Sequence, residues 1–331
     1  MVGIAVRTRL CAWGGRRLAR YVARRLISAV PVIFAVTFIV FLVMHLVPGD
    51  PALALGGTEA SPAEIAQMRH QMGIDQPLVV QLLAWYEHLL RGDLGQSLLL
   101  GQSVIQSILA RVPVTFSLAG CSLVVTVAAG IPFGIAAAVK RNSWIDQLIM
   151  GTALLGLSVP NFWLGLMLIY LFAVALGWLP SGGYVPLFQD PAQWLRSIIL
   201  PTISLSLMQI GFIARMTRSS VLEVLGEDYL RTARAKGLSE RITVWKHALK
   251  NAMIPILTVV GMLFGLLLGG AVVIETVYAL PGAGRLIVTG ILRRDYPVIQ
   301  GGLMATAVVF VALNLLVDVL YAYLDPRVRY E

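Results

Sequence analysis

The residues best placed to do chemistry lie between Gly226 and Pro255, in the stretch GEDYLRTARAKGLSERITVWKHALKNAMIP. Arg231, Arg234, Lys236, Arg241, Lys246 and Lys250 make it strongly basic, and it sits between two apolar runs. Such cations hold a segment at a membrane surface or dock it on a partner; they do not by themselves make or break bonds. Ala233 and Gly237 are four apart, so on a helix they share one small-residue face. Ser239 is placed to cap a second short helix, with Glu240 in its favoured first turn. The spacing predicts two short helices around a Gly237–Ser239 turn, with Tyr229, Arg231, Thr232, Ala233, Arg234, Lys236, Gly237, Leu238 and Ser239 in the docking segment. No catalytic or metal-ligating constellation is assigned. His45, His70, His88 and His247 are scattered singly, and Cys11 and Cys121 form neither a disulfide framework nor a metal spacing. Substrate-binding residues stay unassigned.

The elements that must position this segment follow from composition. Of 331 residues, 58% are hydrophobic and 13% charged, against about 25% charged in a soluble domain. The fold class expected is an all-α polytopic membrane protein, with six transmembrane helices and a cytoplasmic segment of short helices between spans four and five. The net charge of +9 reports cytoplasmic loops and lipid headgroups; no basic–aromatic motif points to nucleic acid. Residues 1–25 form a cytoplasmic tail carrying Arg7, Arg9, Arg16, Arg17, Arg20, Arg24 and Arg25. The apolar run that follows exceeds the ~7–15 residues of a signal-peptide core. It reads as an uncleaved first span over 26–47, because about 20 apolar residues cross the bilayer core.

His45-Leu46-Val47-Pro48-Gly49-Asp50-Pro51 stops that span, and residues 48–111 form an extracytoplasmic loop with amphipathic helices. Ser61-Pro62-Ala63-Glu64 is a capping box with proline at the first helical position, and Gly73 ends that helix. A second helix begins near Pro77, sets Leu78, Leu82, Trp85 and Leu89 on one face and ends at Gly92. It suits a place on the membrane, over the outer mouth, or packed within a small outer cap. Residues 112–324 hold the membrane core, with spans Val112–Val139, Asp146–Gly177, Ile198–Ala214, Ala252–Tyr278 and Gly301–Leu324 and the basic segment at 226–250. Pro160 is predicted to kink the third span. Residues 325–331 close the chain as a cytoplasmic tail. Six spans put both termini on one side. The segments assigned to that side hold 19 Lys/Arg and the outer loops 7, which places both termini and the basic segment in the cytoplasm.

Gly261, Gly265 and Gly269 recur every four residues in span five, as do Gly130 and Gly134 in span two; such spacing lets helix backbones approach in lipid. Polar residues within spans are few: Asn161, Gln209, Glu275, Asn314 and Asp318. Glu275 and Asp318 lie near span ends, where interfacial water or a partner is within reach, and a structural role is assigned to them. A nucleotide-binding loop requires Gly-x4-Gly-Lys-Ser/Thr, yet all four lysines follow Val, Ala, Trp or Leu. If ATP drives transport here, a separate subunit binds it.

These residues resemble a known family. Gly226–Pro255 is similar to the coupling segment of binding-protein-dependent ABC importer permeases, where a Glu-Ala-Ala-x3-Gly (EAA) motif forms helices that enter a cleft on the ATPase. Arg231-Thr232-Ala233 takes the Glu-Ala-Ala place and Gly237 the glycine; Arg231 and Thr232 depart from it, and Lys250 stands where many members have proline. The departures are typical of the peptide branch, which reads much like YLRTARAKG (229–237) followed by the His247–Pro255 run. PGDP (48–51), GIDQPLVVQ (73–81), GDLGQS (92–97), VPNFWLGLMLI (159–169), ETVYALPGAGRL (275–286), RDYPVIQG (294–301) and NLLVDVLYAYLDPRVRY (314–330) match the family in order, across roughly residues 20–331. The chain looks like the first of two permeases of a dipeptide/oligopeptide-type importer, a pattern that glutathione and nickel importers share.

The resemblance implies an inner-membrane subunit that moves peptides by alternating access. Its partners would be a second homologous permease, two ABC ATPase subunits on the coupling helices, an extracytoplasmic solute-binding protein on the outer loops, and membrane lipid. It would carry no cofactor of its own; ATP and Mg would bind the ATPase subunits. Gly237 would permit the turn and close approach to the ATPase. The alternatives are a nickel importer of the same family, an ion-coupled secondary carrier, for which inverted repeats are not seen, and a non-transporting scaffold.

Overall fold

The computed structural model describes residues 2–46, 50, 52–53, 60–239 and 242–324. Most of the PGDP stop, Glu240, Arg241 and the 325–331 tail lie outside them. Among the described residues there are helices and one isolated bridge, Gln96 to Ser103, but no strands. Five helices are long and apolar enough to cross a membrane, and a bent helix pair makes a sixth if counted as one span. The chain divides into two compact units.

The first unit comprises residues 1–113 and 282–315. It opens with α1 (Val2–Leu46), which continues through Pro31. Helix α2 (Pro62–Gln71) starts at the Ser61–Glu64 capping box, and the chain leaves it at Gly73 with φ +67°. Helix α3 (Leu78–Leu90) is followed by Gly92 at φ +74°. A short helix, α4 (Val104–Leu109), and α11 (Ala283–Arg293) flank a small core of Val104, Ile108, Leu286 and Val298. Buried Asp295 fastens it, accepting from Ser97 Oγ at 2.6 Å and the Leu99 amide at 3.2 Å. Glycine at 301 and 302 makes room for Val104 and Ile287. The stretches 92–97 and 294–301, far apart in sequence, therefore fold as one packed piece.

The second unit comprises residues 114–281 and 316–331. Helix α5 (Val112–Val139) begins it, followed by α6 (Trp144–Ser158) and α7 (Asn161–Leu168), which runs on as a π-helical stretch over Ile169–Ala175. Helix α8 (Pro191–Leu225) is the centre of the unit; α5, α6, α7 and α10 (Leu249–Val277) all pack on it. The docking segment lies between α8 and α10 as α9 (Asp228–Ala235) and a π-helical turn, Thr243–Ala248. Helix α12 (Tyr296–Leu324) closes the described chain.

At Pro160 the third span is broken outright, with α6 and α7 meeting at 98°. Proline offers no amide to the preceding turn and pushes its neighbour out of helical geometry. Val159 accordingly sits extended at φ −88°, ψ 120°.

Candidate functional site

Helix α8 ends where the Gly226 amide donates to Glu223 and the Glu227 amide to Val224, and α9 begins at Asp228. Leu230 is fully buried and pins α9 to the unit. Its other anchor is polar: Asn251 Nδ2, from the first turn of α10, donates to Tyr229 Oη at 2.7 Å. Tyr229 and the His247–Pro255 run, separate sequence signals, are thus joined in one contact. Asp228, Arg231 and Thr232 are exposed, Arg231 pairing with Asp228 one turn back. Ala233, Arg234 and Leu238 are half-buried; Lys236, Gly237 and Ser239 are exposed.

Gly237 terminates α9 rather than sharing a face with Ala233. Its φ is +85°, its amide donates to Arg234, and the next amide, Leu238, reaches back to Ala233 at 3.3 Å. This is the left-handed helix stop that glycine makes at least cost. A Cβ added there meets nothing within 4 Å. The turn alone therefore requires glycine within this chain, and the close-approach expectation gains nothing from intrachain contacts. The Ser239 carbonyl accepts from Thr243 and leads into the π-helical turn; the Ser239–Glu240 cap lies partly outside the described residues. Val244 and Ala248 are buried, and Trp245 and Lys246 point outward.

The support beneath the segment was not singled out in the sequence. Arg218, two turns before the end of α8, binds Asp146 at the start of α6 bidentately, Nε to Oδ1 at 2.6 Å and Nη2 to Oδ2 at 2.7 Å. Asp146 is buried and also accepts from the Asn142 amide at 3.0 Å. Arginine's planar fork matches a carboxylate in this geometry. Nothing in linear spacing signals a pair 72 residues apart. Close backbone approach completes the grip. A Cβ on Gly134 would overlap Thr217, one on Gly130 would sit 2.8 Å from Ile213, and one on Gly211 would sit 2.6 Å from the Ala153 carbonyl.

The glycine stripe of span five is only partly a packing stripe. Gly261 faces Val317, and Gly265 is half-buried, but Gly269 is exposed with open space around it. The close contact falls one residue on, where Gly270 meets Leu205. Glu275, to which a structural role was assigned with water or a partner in reach, is fully buried, and it accepts from Thr115 Oγ1 at 2.5 Å. The Asp318 side chain lies outside the described ones.

This arrangement does no covalent chemistry. It presents a short, partly exposed basic helix on a rigid mount. Two family descriptions match the chain: the binding-protein-dependent transport system inner membrane component over residues 130–330, and its N-terminal counterpart over residues 18–119. A protein designated a peptide transport system permease in Brucella abortus (strain 2308) is 51% identical over 310 residues, 94% of this chain and 99% of that one. The glutathione transport system permease protein GsiC of Salmonella paratyphi A is 45% identical, covering 95% of this chain and all of its own. The dipeptide transport system permease protein DppB of Alkalihalophilus pseudofirmus is 42% identical, with 94% and 99% covered. Among solved structures, the MetNI methionine ABC transporter in an inward-facing form is similar in fold, with TM-score 0.56 and 19% identity over 67% of this chain and 97% of that one.

Proposed function

The chain belongs to the binding-protein-dependent transport system inner membrane component family, and on that premise we propose that it carries peptides inward as one of two permeases of an ATP-driven importer. It is a multi-pass inner-membrane transport subunit and not the ATPase. Its family works with ATPase subunits and a solute-binding protein. The proposed assembly adds a second, homologous permease and two ATPases that hold ATP and Mg. Both termini and α9 face the cytoplasm, as the Lys/Arg asymmetry supports.

The observation that carries the reading is α9 itself. It is short and exposed on its basic side, and it lies between two long spans, two residues after α8 and with a longer connection through the Thr243–Ala248 turn to α10. An ATPase that grips α9 and closes on ATP would move α8, the span joined to it most directly. Relatives named for peptides, dipeptides and glutathione support a peptide cargo; none of these names favours nickel. The test is a mild-detergent pull-down of the tagged chain, then reconstitution with labelled di- and oligopeptides. Co-recovery of a second permease and Walker-motif ATPases, with ATP-dependent peptide uptake, is expected. Recovery without an ATPase, or uptake driven by an ion gradient alone, would overturn the proposal.

A further inference from the structure

Helix α3 lies along α1 rather than standing off it. Going up α3, Gln81 Oε1 meets His45 Nε2 at 3.0 Å, Trp85 lies 6.0 Å from the Phe41 ring, and Tyr86 stacks on Phe34 at 5.1 Å. Tyr86 Oη also reaches Thr37 Oγ1 at 3.1 Å and the Phe34 carbonyl at 3.3 Å. The two helices therefore run antiparallel, and α3 descends along α1 as its own residue numbers rise. Phe34, Thr37 and Phe41 all fall within the apolar span Ala23–Val43. Eleven residues separate His45 from Phe34, about 16 Å along a helix, or half of a hydrocarbon core about 30 Å thick.

The outward side of α3 is unlike that of a helix bathed in water. Val79, Leu83 and Leu90 are 67%, 64% and 88% exposed, and at 100° per residue they form one stripe. On α1, Phe38 and Leu42 border the contact with α3 and are exposed too, so the apolar surface of the span carries on without a break. The other flank of α3 differs. It is polar and exposed: Arg91 pairs with Glu87, and His88 Nδ1 lies 3.4 Å from Asp93 Oδ2.

We propose that α3 is a re-entrant helix of the outer leaflet, entering beside the Leu46 end of α1 with Leu90 at its deep end, and that acyl chains cover Val79, Leu83 and Leu90. A 13-residue apolar helix is too short to span and has the length of a re-entrant segment. The occupant is lipid because the stripe continues the surface of a span. The leaflet rests on the topology proposed above; the embedding does not.

Single cysteines replacing Val79, Leu83, Leu90 and Ala84, in a Cys11→Ala/Cys121→Ala background, are spin-labelled in the full complex reconstituted into phosphatidylethanolamine/phosphatidylglycerol vesicles. Accessibility to oxygen is compared with accessibility to a water-soluble nickel chelate. The expected result is oxygen access at positions 79, 83 and 90, with depth increasing in that order, and nickel access at 84. Equal shallow depth would make α3 a surface helix, nickel access along the stripe would make it aqueous, and low access to both probes would mean a protein partner covers it; each overturns the proposal. Photolabelling of the unsubstituted complex with a diazirine-bearing phosphatidylcholine gives an independent reading, since residues 78–90 must then carry label. A chain with no transport activity could still show this pattern, so the inference fails separately from the importer reading.

Discussion

Removing one side of the Asp146–Arg218 pair should do more harm than removing both. The carboxylate is almost wholly buried and the guanidinium is 26% exposed, with two short parallel hydrogen bonds between them. Asp146→Ala leaves a cation on α8 without its anion, and Arg218→Met leaves a buried carboxylate with the Asn142 amide and the more distant charge of Arg141. Breaking a buried pair this way costs about 3–5 kcal/mol; the partial exposure of Arg218 sets the expectation at the low end, about 3 kcal/mol for each single change. The double variant removes both charges and leaves no buried charge unpaired, so its loss should fall short of the sum by at least about 3 kcal/mol, the top of the usual range for residues in contact. The assay is thermal unfolding of the purified chain in one detergent for all four proteins, followed by ATP-dependent uptake after reconstitution. Each single variant should unfold at least several degrees below the parent, with the double variant no worse than either. Strict additivity, with a coupling below about 0.5 kcal/mol, would show that the pair is a surface contact and refute its role as the anchor of α8.

Three further outcomes are expected. Gly237→Leu should uncouple ATP hydrolysis from uptake because a φ of +85° costs a β-carbon residue about 1–2 kcal/mol, whereas Gly237→Asn should retain most uptake; normal uptake by the leucine variant at normal expression would refute this. Gly134→Ala should destabilise the chain by about 2 kcal/mol, since its Cβ would overlap Thr217 and crowd the Ala214 carbonyl at 2.5 Å, while Gly269→Ala, in open space, should be neutral or slightly stabilising in the same thermal assay. In the outer loop, the hydrogen bond and charge of Asp75, 2.7 Å away, hold the His70 imidazole above its usual value, and the same bond holds Asp75 below its own. A raised His contributes fully below its unfolded pKa and is lost as pH rises through the folded one; a lowered Asp is lost as pH falls. The pair therefore contributes most between about pH 4 and 6.5, and Asp75→Asn should lower the His70 midpoint seen by NMR, an unchanged midpoint counting against the pair.

The parts of this chain legible in its sequence were those governed by local rules. The capping box at Ser61, the stops at Gly73 and Gly92 and the bounds of α5 follow from side chains within one turn of the feature they set. Gly237 was legible as a turn, because only its own φ demands glycine. What periodicity could not supply was azimuth. Three glycines at i, i+4 and i+8 predict one face, yet helix α10 turns Gly269 outward and offers Gly270 to Leu205, because 3.6 residues per turn drifts off a four-residue stripe. Nor could it supply partners. Asp146 read as the first residue of a span, and Arg218 as one more topology charge. Glu275 lay near enough to a span end to suggest water or a partner, and linear spacing could not say that Thr115, 160 residues earlier, sits against it.

These missed contacts bear on how α9 can act. A helix gripped by a partner transmits motion only if its mount is stiffer than the grip. Helix α8 meets that condition along its length: Gly130 and Gly134 bring α5 onto Ile213 and Thr217, Gly211 brings α6 in, and Arg218 ties the last turns to Asp146. Close-packed helices with glycine contacts cannot slide by small amounts without overlap, so they move as a body or repack to a second discrete arrangement. On the α10 side the mount is looser in kind: a π-helical turn, with its less regular hydrogen bonding, and the Tyr229–Asn251 hydrogen bond. A pull on α9 should therefore displace α8, α6 and α5 together and be absorbed at Thr243–Ala248. On the coupling role proposed above for α9, the give on this path falls after that helix, at Thr243–Ala248, and not before it.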